Sequence, residues 1–319
     1  MSYTEKLIDA MSQLPIDDDQ ITLRSSLAQH DTDTSAQGLV KKLDDNNIEK
    51  IAIFSRRGQQ PNKVNSVKML RDMIPERIIL GTSKRFDQRE DLTPEYFQNL
   101  LHEIDNDGCE FLGELMLTHA DKHDGEENES YERHVCASSA NVCRLLDEIS
   151  KNPLPVMFHW EVYHWNRDIE HITYMLGSYP NIPFVWPHSG FGSPEQVDYI
   201  LSRFSNVYAL LSKREMIRVG DLWVSHTGDD LGGYNIVNQE FLNRVDCGMV
   251  DRQGIIKSDW VQLLERYPDR FMWGTDAHKP LRWKSYDRIV RVWRDILSQL
   301  DFDLAQKISY YNAKRLYKI

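Results

Sequence analysis

Short apolar runs alternate with stretches of helical periodicity along most of this chain. The runs at 48–55, 77–82, 109–117, 154–159, 182–188, 206–212 and 271–274 are rich in Ile, Val, Leu and Phe, and all but 109–117 end in a small or polar residue. Each reads as a strand buried on both faces, because a strand with one wet face would alternate apolar with polar positions. Between them, 35–46, 64–73, 93–104, 132–149, 168–176, 194–204 and 259–267 place apolar residues at helical spacing. Pro94 falls in the first turn of its helix, where the missing N–H costs nothing. Thr34 or Ser35 is placed to cap the first helix. Helices over 283–300 and 304–317 close the chain.

The start is harder to read. Residues 3–14 fit a short amphipathic helix, 21–27 fit a further strand, and 1–34 as a whole read as irregular. Counting 21–27 gives eight strands, with polar groups after nearly every one. This alternation predicts a parallel, helix-covered sheet closed as a distorted (β/α)8 barrel. An open doubly wound sheet would alternate in the same way, but no G-x-G-x-x-G segment is present. A single barrel domain over 1–319 is expected, interrupted by a long glycine-rich, acidic excursion at 213–257. That excursion, with H-T-G-D-D at 226–230, suits a lid over a site or an interface in a homo-oligomer.

Composition narrows the function. With 41% apolar residues the chain can fill a sizeable core, and 38 basic against 49 acidic residues leave a net charge of -11. Such a surface disfavours nucleic acid and anionic membranes as partners. No apolar run approaches the ~18 residues of a membrane span. The first residues lack the basic region and apolar segment of a signal peptide. Four cysteines, Cys109, Cys136, Cys143 and Cys247, show no C-x-x-C spacing and read as reduced thiols of a cytoplasmic protein. The expected partner is a small-molecule substrate.

Barrel enzymes carry their reacting groups at the C-terminal ends of the strands. His159, His188 and Asp276 each end such a run. Two neutral imidazoles and a carboxylate suit zinc or another borderline divalent ion. One strand-end histidine alone is more often a structural hydrogen-bond donor; three groups at equivalent positions favour a site. Asp276 and His188 are the candidate acid–base pair. Glu114 lies inside an apolar run, on one face with Leu112 and Met116 by the period of two. A carboxylate there must ligate, orient a ligand, or pair with a base such as Arg56, Arg57 or Lys84. Glu161 and His278, each two residues beyond a candidate ligand, suit support of that ligand or contact with substrate. Lys213 and Arg214, with Arg56, Arg57, Lys84 and Arg85 at earlier strand ends, could receive a substrate carboxylate. Solvated surface charge is the competing explanation for them. Trp160 and Trp186 read as packing.

These residues also carry a family likeness. Gly113-Glu114, P-V-M-F-H ending at His159, W-P-H-S-G at 186–190, R-Y-P-D-R-F-M-W-G-T-D at 266–276 and N-A-K-R-L at 312–316 together resemble the amidohydrolase superfamily. The closest resemblance is to its branch of decarboxylases and lactonases of small carboxylated substrates. It implies that His159 and His188 ligate a divalent metal, zinc or manganese, and that Asp276 binds the metal and serves as general base. It implies that Glu114 contacts or replaces a ligand. The implied reactions are hydrolysis of an amide or lactone and non-oxidative decarboxylation.

One part of the pattern is missing. The family's first strand ends in I-D-x-H-x-H, and no H-x-H pair occurs in this chain. Aligning 16–21 puts Asp19 and Ile21 at the two histidine positions; aligning 21–26 puts Arg24 and Ser26 there, Arg24 bringing a positive charge of its own. His30 is too isolated to replace both. Three functions stay open: a metal-dependent enzyme, a metal-free or inactive barrel with a binding or regulatory role, and a metal-free lyase or isomerase using His188 and Asp276.

Overall fold

The structure, a computed structural model, describes residues 2–14, 35–55, 66–82, 94–120, 132–219, 222–225, 243–246, 248–278 and 280–319. Its parallel strands are β1 (Leu7–Leu14), β2 (Ile48–Ser55), β3 (Ile78–Leu80), β4 (Leu112–His119), β5 (Val156–Trp160), β6 (Phe184–Trp186), β7 (Val207–Leu210) and β8 (Phe271–Met272). β1 to β3 form one parallel ladder and β4 to β8 another, each strand beside its sequence neighbour. Single bridges join the ladders: Gly81 with Phe111 between β3 and β4, and Ser12 with Ala277 between β8 and β1. Backbone bonds from Asp276 N to Met11 O and from Gln13 N to Ala277 O, both 2.8 Å, tie the second seam. The result is the distorted (β/α)8 barrel that the alternation predicts.

Side-chain alternation shows why the ring holds. Ile8, Ala52, Ile79, Phe111, Met157, Val185, Leu210 and Met272, one from each strand or its immediate start, form a single buried interior cluster. On β5 the outward neighbours Val156, Phe158 and Trp160 belong instead to the larger cluster shared with the helices. This is period-two packing, and it makes His159 the next inward position after Met157. Ala313, Leu316 and Tyr317 of the last helix, Asn312–Tyr317, join the interior cluster. Asn312 Nδ2 donates to Pro268 O and Phe271 O at the start of β8. That end of the barrel is thereby plugged, and the C-terminal strand ends form the mouth.

β1 corrects the reading of the N-terminus. Residues 3–14 fit an amphipathic helix because Leu7, Ile8, Met11 and Leu14 recur at helical spacing. All eight residues of the strand are buried, including polar Asp9, Ser12 and Gln13. A strand covered on both faces has no exposed side to reveal its period, and helical spacing then arises by coincidence. β1 fills the place in the ring expected of 21–27, so the segment 1–34 is not irregular throughout. Residues 21–27, both trial alignments of the histidine pattern and His30 lie outside the described residues.

Other boundaries shift for local reasons. The helix expected over 132–149 spans Ala140–Lys151, with the Ser139 side chain accepting from Val142 N as its cap. Arg133–His134 instead pairs antiparallel with the end of β4. The helix expected over 283–300 divides into Pro280–Lys284 and Tyr286–Leu297. Within the excursion, Met216–Val219 pairs antiparallel with Leu222–Ser225, whereas H-T-G-D-D at 226–230 lies outside the described residues. Among the described residues no helix is long and apolar enough to cross a membrane.

Candidate active site

The end of β1 supplies what neither trial alignment found. Ile8-Asp9-Ala10-Met11-Ser12-Gln13 falls on the family's I-D-x-H-x-H pattern, with Met11 and Gln13 at the two histidine positions. Asp9, fully buried, fixes the strand against the end of β8. It accepts from Thr275 Oγ1 at 2.6 Å, Thr275 N at 2.8 Å, Ser12 Oγ at 2.9 Å, Tyr286 OH at 2.9 Å and Met11 N at 3.2 Å. Burial pushes its carboxyl pKa up despite these bonds.

Gln13 and Asp276 meet across that seam. Gln13 Nε2 donates to Asp276 Oδ1 at 2.9 Å and to Glu114 Oε2 at 3.3 Å. Two carboxylates can only accept from it, so the amide nitrogen must face them. Gln13 Oε1, buried as well, has no hydrogen-bond partner among the described residues. Lys213 Nζ lies 2.6 Å from Asp276 Oδ2, with side chains 3% and 2% exposed, a buried ion pair. His188 Nε2 stands 3.9 Å from the same oxygen, and His278 Nδ1 3.4 Å. Burial alone would raise the Asp276 pKa; the charges of Lys213, His278 and Arg282 outweigh it and hold the carboxyl well below the usual carboxylate range.

The histidines are held by acceptors that fix their protons. His188 Nδ1 lies 3.0 Å from Ser212 O, and His278 Nδ1 2.7 Å from Asp276 O. A carbonyl only accepts, so each Nδ1 carries a proton. His159 lies between two carboxylates, Nδ1 at 2.7 Å from Glu114 Oε1 and Nε2 at 3.0 Å from Glu161 Oε1. Burial opposes charge on this ring, but the paired carboxylates raise its pKa to about 9, making it an imidazolium at neutral pH. Glu161 is itself anchored by Ala120 N at 2.9 Å. His119 stacks on the His159 ring at 5.2 Å.

Backbone conformation singles out the same residues. His188 (φ 58), Lys213 (φ 63) and Asp276 (φ 47) all lie in the left-handed region, which costs a non-glycine residue roughly 1–2 kcal/mol. Such conformations persist where surrounding contacts over-determine them, often at functional sites. The turn after β6 runs through His188, Ser189, Gly190 and Phe191, all with positive φ, and Phe191 stacks on His188 at 4.9 Å.

Gln13, Glu114, His159, Glu161, His188, Lys213, Asp276 and His278 therefore converge at the mouth. Arg214 does not join them. Fully buried, it sends NH1 to Asp246 O and NH2 to Gly192 O, and its guanidinium lies 4.4 Å from the Trp260 ring centre. Adjacent residues of the turn after β7 face opposite ways, so Lys213 enters the barrel and Arg214 braces the loop. Arg56, Arg57, Lys84 and Arg85 lie outside the described residues. Trp160 and Trp186 stack at 5.1 Å, both fully buried, as packing groups. Sequence reasoning missed Gln13, Asp9 and His119. The signal for the first two was the Ile8-Asp9 pair, hidden by the helical reading of 3–14.

A family model described as amidohydrolase matches residues 115–319. The chain belongs to this family. Solved structures of similar fold cover nearly the whole chain. Its fold is similar to that of an uncharacterized TIM-barrel protein from Bordetella bronchiseptica, with 16% identity, TM-score 0.57 and 98% of each chain covered. It is similar to 2,6-dihydroxybenzoate decarboxylase from Rhizobium, with 13% identity, TM-score 0.56 and 98% of this chain and 99% of that one covered. A third match is an amidohydrolase from Burkholderia multivorans, with 12% identity, TM-score 0.52 and coverage of 98% and 99%. At these identities the likeness is one of fold. No curated protein matches the sequence.

Amidohydrolases typically hold a divalent metal, and candidate ligand groups exist here. Glu114, His159 and His188 offer donor atoms within 4.8 Å of one another, as do His119, His159 and Glu161. The surroundings of Asp276 are arranged differently. The two first-strand positions carry a thioether and an amide, and the amide turns its N–H2 toward the carboxylates. Both ring nitrogens of His159 face carboxylates, and metal ligands must be free of protons. The Lys213 ammonium already lies on Asp276. A dication sharing that oxygen, about 4 Å from the ammonium, would be repelled by about 8 kcal/mol at an effective dielectric near 20. The residues in this arrangement do not fit an ion bound at Asp276.

Proposed function

We propose that this amidohydrolase acts on a small carboxylated molecule, by hydrolysis of a lactone or amide or by non-oxidative decarboxylation. The observation that carries this reading is Asp276, a buried carboxylate at the barrel mouth held between Gln13 Nε2 and Lys213 Nζ. The decarboxylase with a similar fold, complexed with 2,6-dihydroxybenzoate in one structure, supports a carboxylated substrate.

The chemistry follows from how charge redistributes. With Lys213 on it, Asp276 is ionised but only weakly basic. A substrate carboxylate that draws the ammonium to itself weakens that pairing and makes Asp276 a stronger base. In hydrolysis, Asp276 takes a proton from water as its oxygen bonds to the carbonyl carbon. The C–O or C–N bond then breaks, and the leaving atom receives the proton. In decarboxylation the C–C bond to the carboxylate breaks, carbon dioxide leaves, and the carbon takes a proton from the Lys213 ammonium, which water then restores. His188, whose Nε2 stands 3.9 Å from Asp276, is placed to orient the attacking water or the substrate. His159, clamped between Glu114 and Glu161, fixes the positions of both carboxylates beside the site. Zinc and manganese are the ions to test against Glu114, His159 and His188. Four cysteines without C-x-x-C spacing, read as reduced thiols, support a cytoplasmic setting.

The test is a panel of carboxylated lactones, amides and aromatic acids assayed with purified protein and with D276N. Turnover lost by roughly a thousandfold in D276N supports the reading. Panel compounds that bind without turnover would instead favour a binding or regulatory role.

A further inference from the structure

We infer that the Lys213 ammonium takes the place of a divalent ion at Asp276, so that this amidohydrolase site works without a resident metal there. Three independent features support this. The first is position: Nζ lies 2.6 Å from Asp276 Oδ2, on a side chain 3% exposed and fixed by a left-handed turn directly after β7. The second is Gln13, at a histidine position of the first-strand pattern. It bridges Asp276 and Glu114 through N–H donors, as an ion would bridge them through its charge. The third is His159, whose two nitrogens are committed to Glu114 and Glu161. Together they place protons where a metal site needs lone pairs.

The substitution also bears on what the site can take. A tethered ammonium binds through N–H donors and accepts no ligand exchange in the metal sense. Such a site favours a carboxylate or enolate oxygen that receives N–H bonds over a chelating group. Gln13 Oε1, buried and without a protein partner among the described residues, adds one acceptor for a substrate O–H or N–H. The inference rests on the site described above, but its readout is metal binding and not turnover.

The test is elemental analysis of wild-type protein expressed in zinc- and manganese-supplemented medium, followed by zinc titration by calorimetry. Wild type should retain no metal that depends on Asp276, so its zinc and manganese content should equal that of D276N. K213M uncovers a buried carboxylate and should bind zinc about tenfold more tightly than wild type or better. K213R, which keeps the charge, should behave as wild type. One equivalent of zinc or manganese in wild type, lost in D276N, overturns the inference, as does zinc affinity unchanged in folded K213M. Circular dichroism establishes that K213M folds; if it does not, the wild-type and D276N contents decide. An inactive protein that binds no metal sinks the proposed reaction and keeps this inference. An active enzyme with stoichiometric metal at Asp276 does the reverse.

Discussion

Replacing Asp9 with alanine tests the placement of β1 directly. The Asp9 carboxylate accepts from Met11 N, Ser12 Oγ, Thr275 N, Thr275 Oγ1 and Tyr286 OH, joining the first strand to the last. In D9A the backbone N–H groups of Met11 and Thr275 lose this buried acceptor, at about 1–3 kcal/mol each. Ser12 and Thr275 hydroxyls, 3.0 Å apart, can still bond one another. Removing a buried carboxylate also relieves its desolvation, which is what raises its pKa. The balance is a loss of about 3 kcal/mol. With a urea dependence of about 3 kcal/mol/M, the unfolding midpoint falls by about 1 M. Tryptophan fluorescence should report it, since Trp273 is fully buried just after β8. D9N keeps one acceptor oxygen and should lose roughly half as much. A D9A protein within about 0.5 kcal/mol of wild type would refute the clamp and the strand assignment with it.

The His159 environment predicts a pH dependence. Its folded pKa of about 9 exceeds the unfolded value near 6.5, so its contribution is complete below about 6.5 and is lost as pH rises through about 9. The size is about 3 kcal/mol, read as the wild-type minus H159N difference in unfolding free energy between about pH 6 and pH 10. A difference that stays flat over that range would show that the imidazolium is not held. Gly190 tolerates no side chain: its φ is +61, and a Cβ would meet Trp186 Cζ2 at 2.5 Å and Trp160 O at 2.6 Å. G190A is expected to lose about 3 kcal/mol, and an unchanged melting temperature would contradict the turn that positions His188.

The legible part of this molecule was its repetition. Strands two to eight announced themselves because each is a short apolar run between helical stretches, and the closing strand showed Asp276 at its end. His159, His188 and Asp276 could be picked out because they interrupt or end apolar runs. β1 was not legible in the same way. Its polar residues Asp9, Ser12 and Gln13 are as buried as its leucines. Buried polar residues leave no alternation to read, since their reason for being inside is a partner far along the chain.

The amino-acid sequence by itself thus determined the barrel, the family and the strand ends where a site must lie. All of these depend on local periodicity and on residues present in the chain. Tertiary structure decided what stands beside Asp276. Gln13 and Asp276 are 263 residues apart, and Lys213 could have faced outward as its neighbour Arg214 does. Which of two adjacent cations enters the barrel depends on a left-handed turn and on contacts with Asp246 and Gly192. An ion pair is a statement about distance, and distance between remote residues is set only when the ring closes.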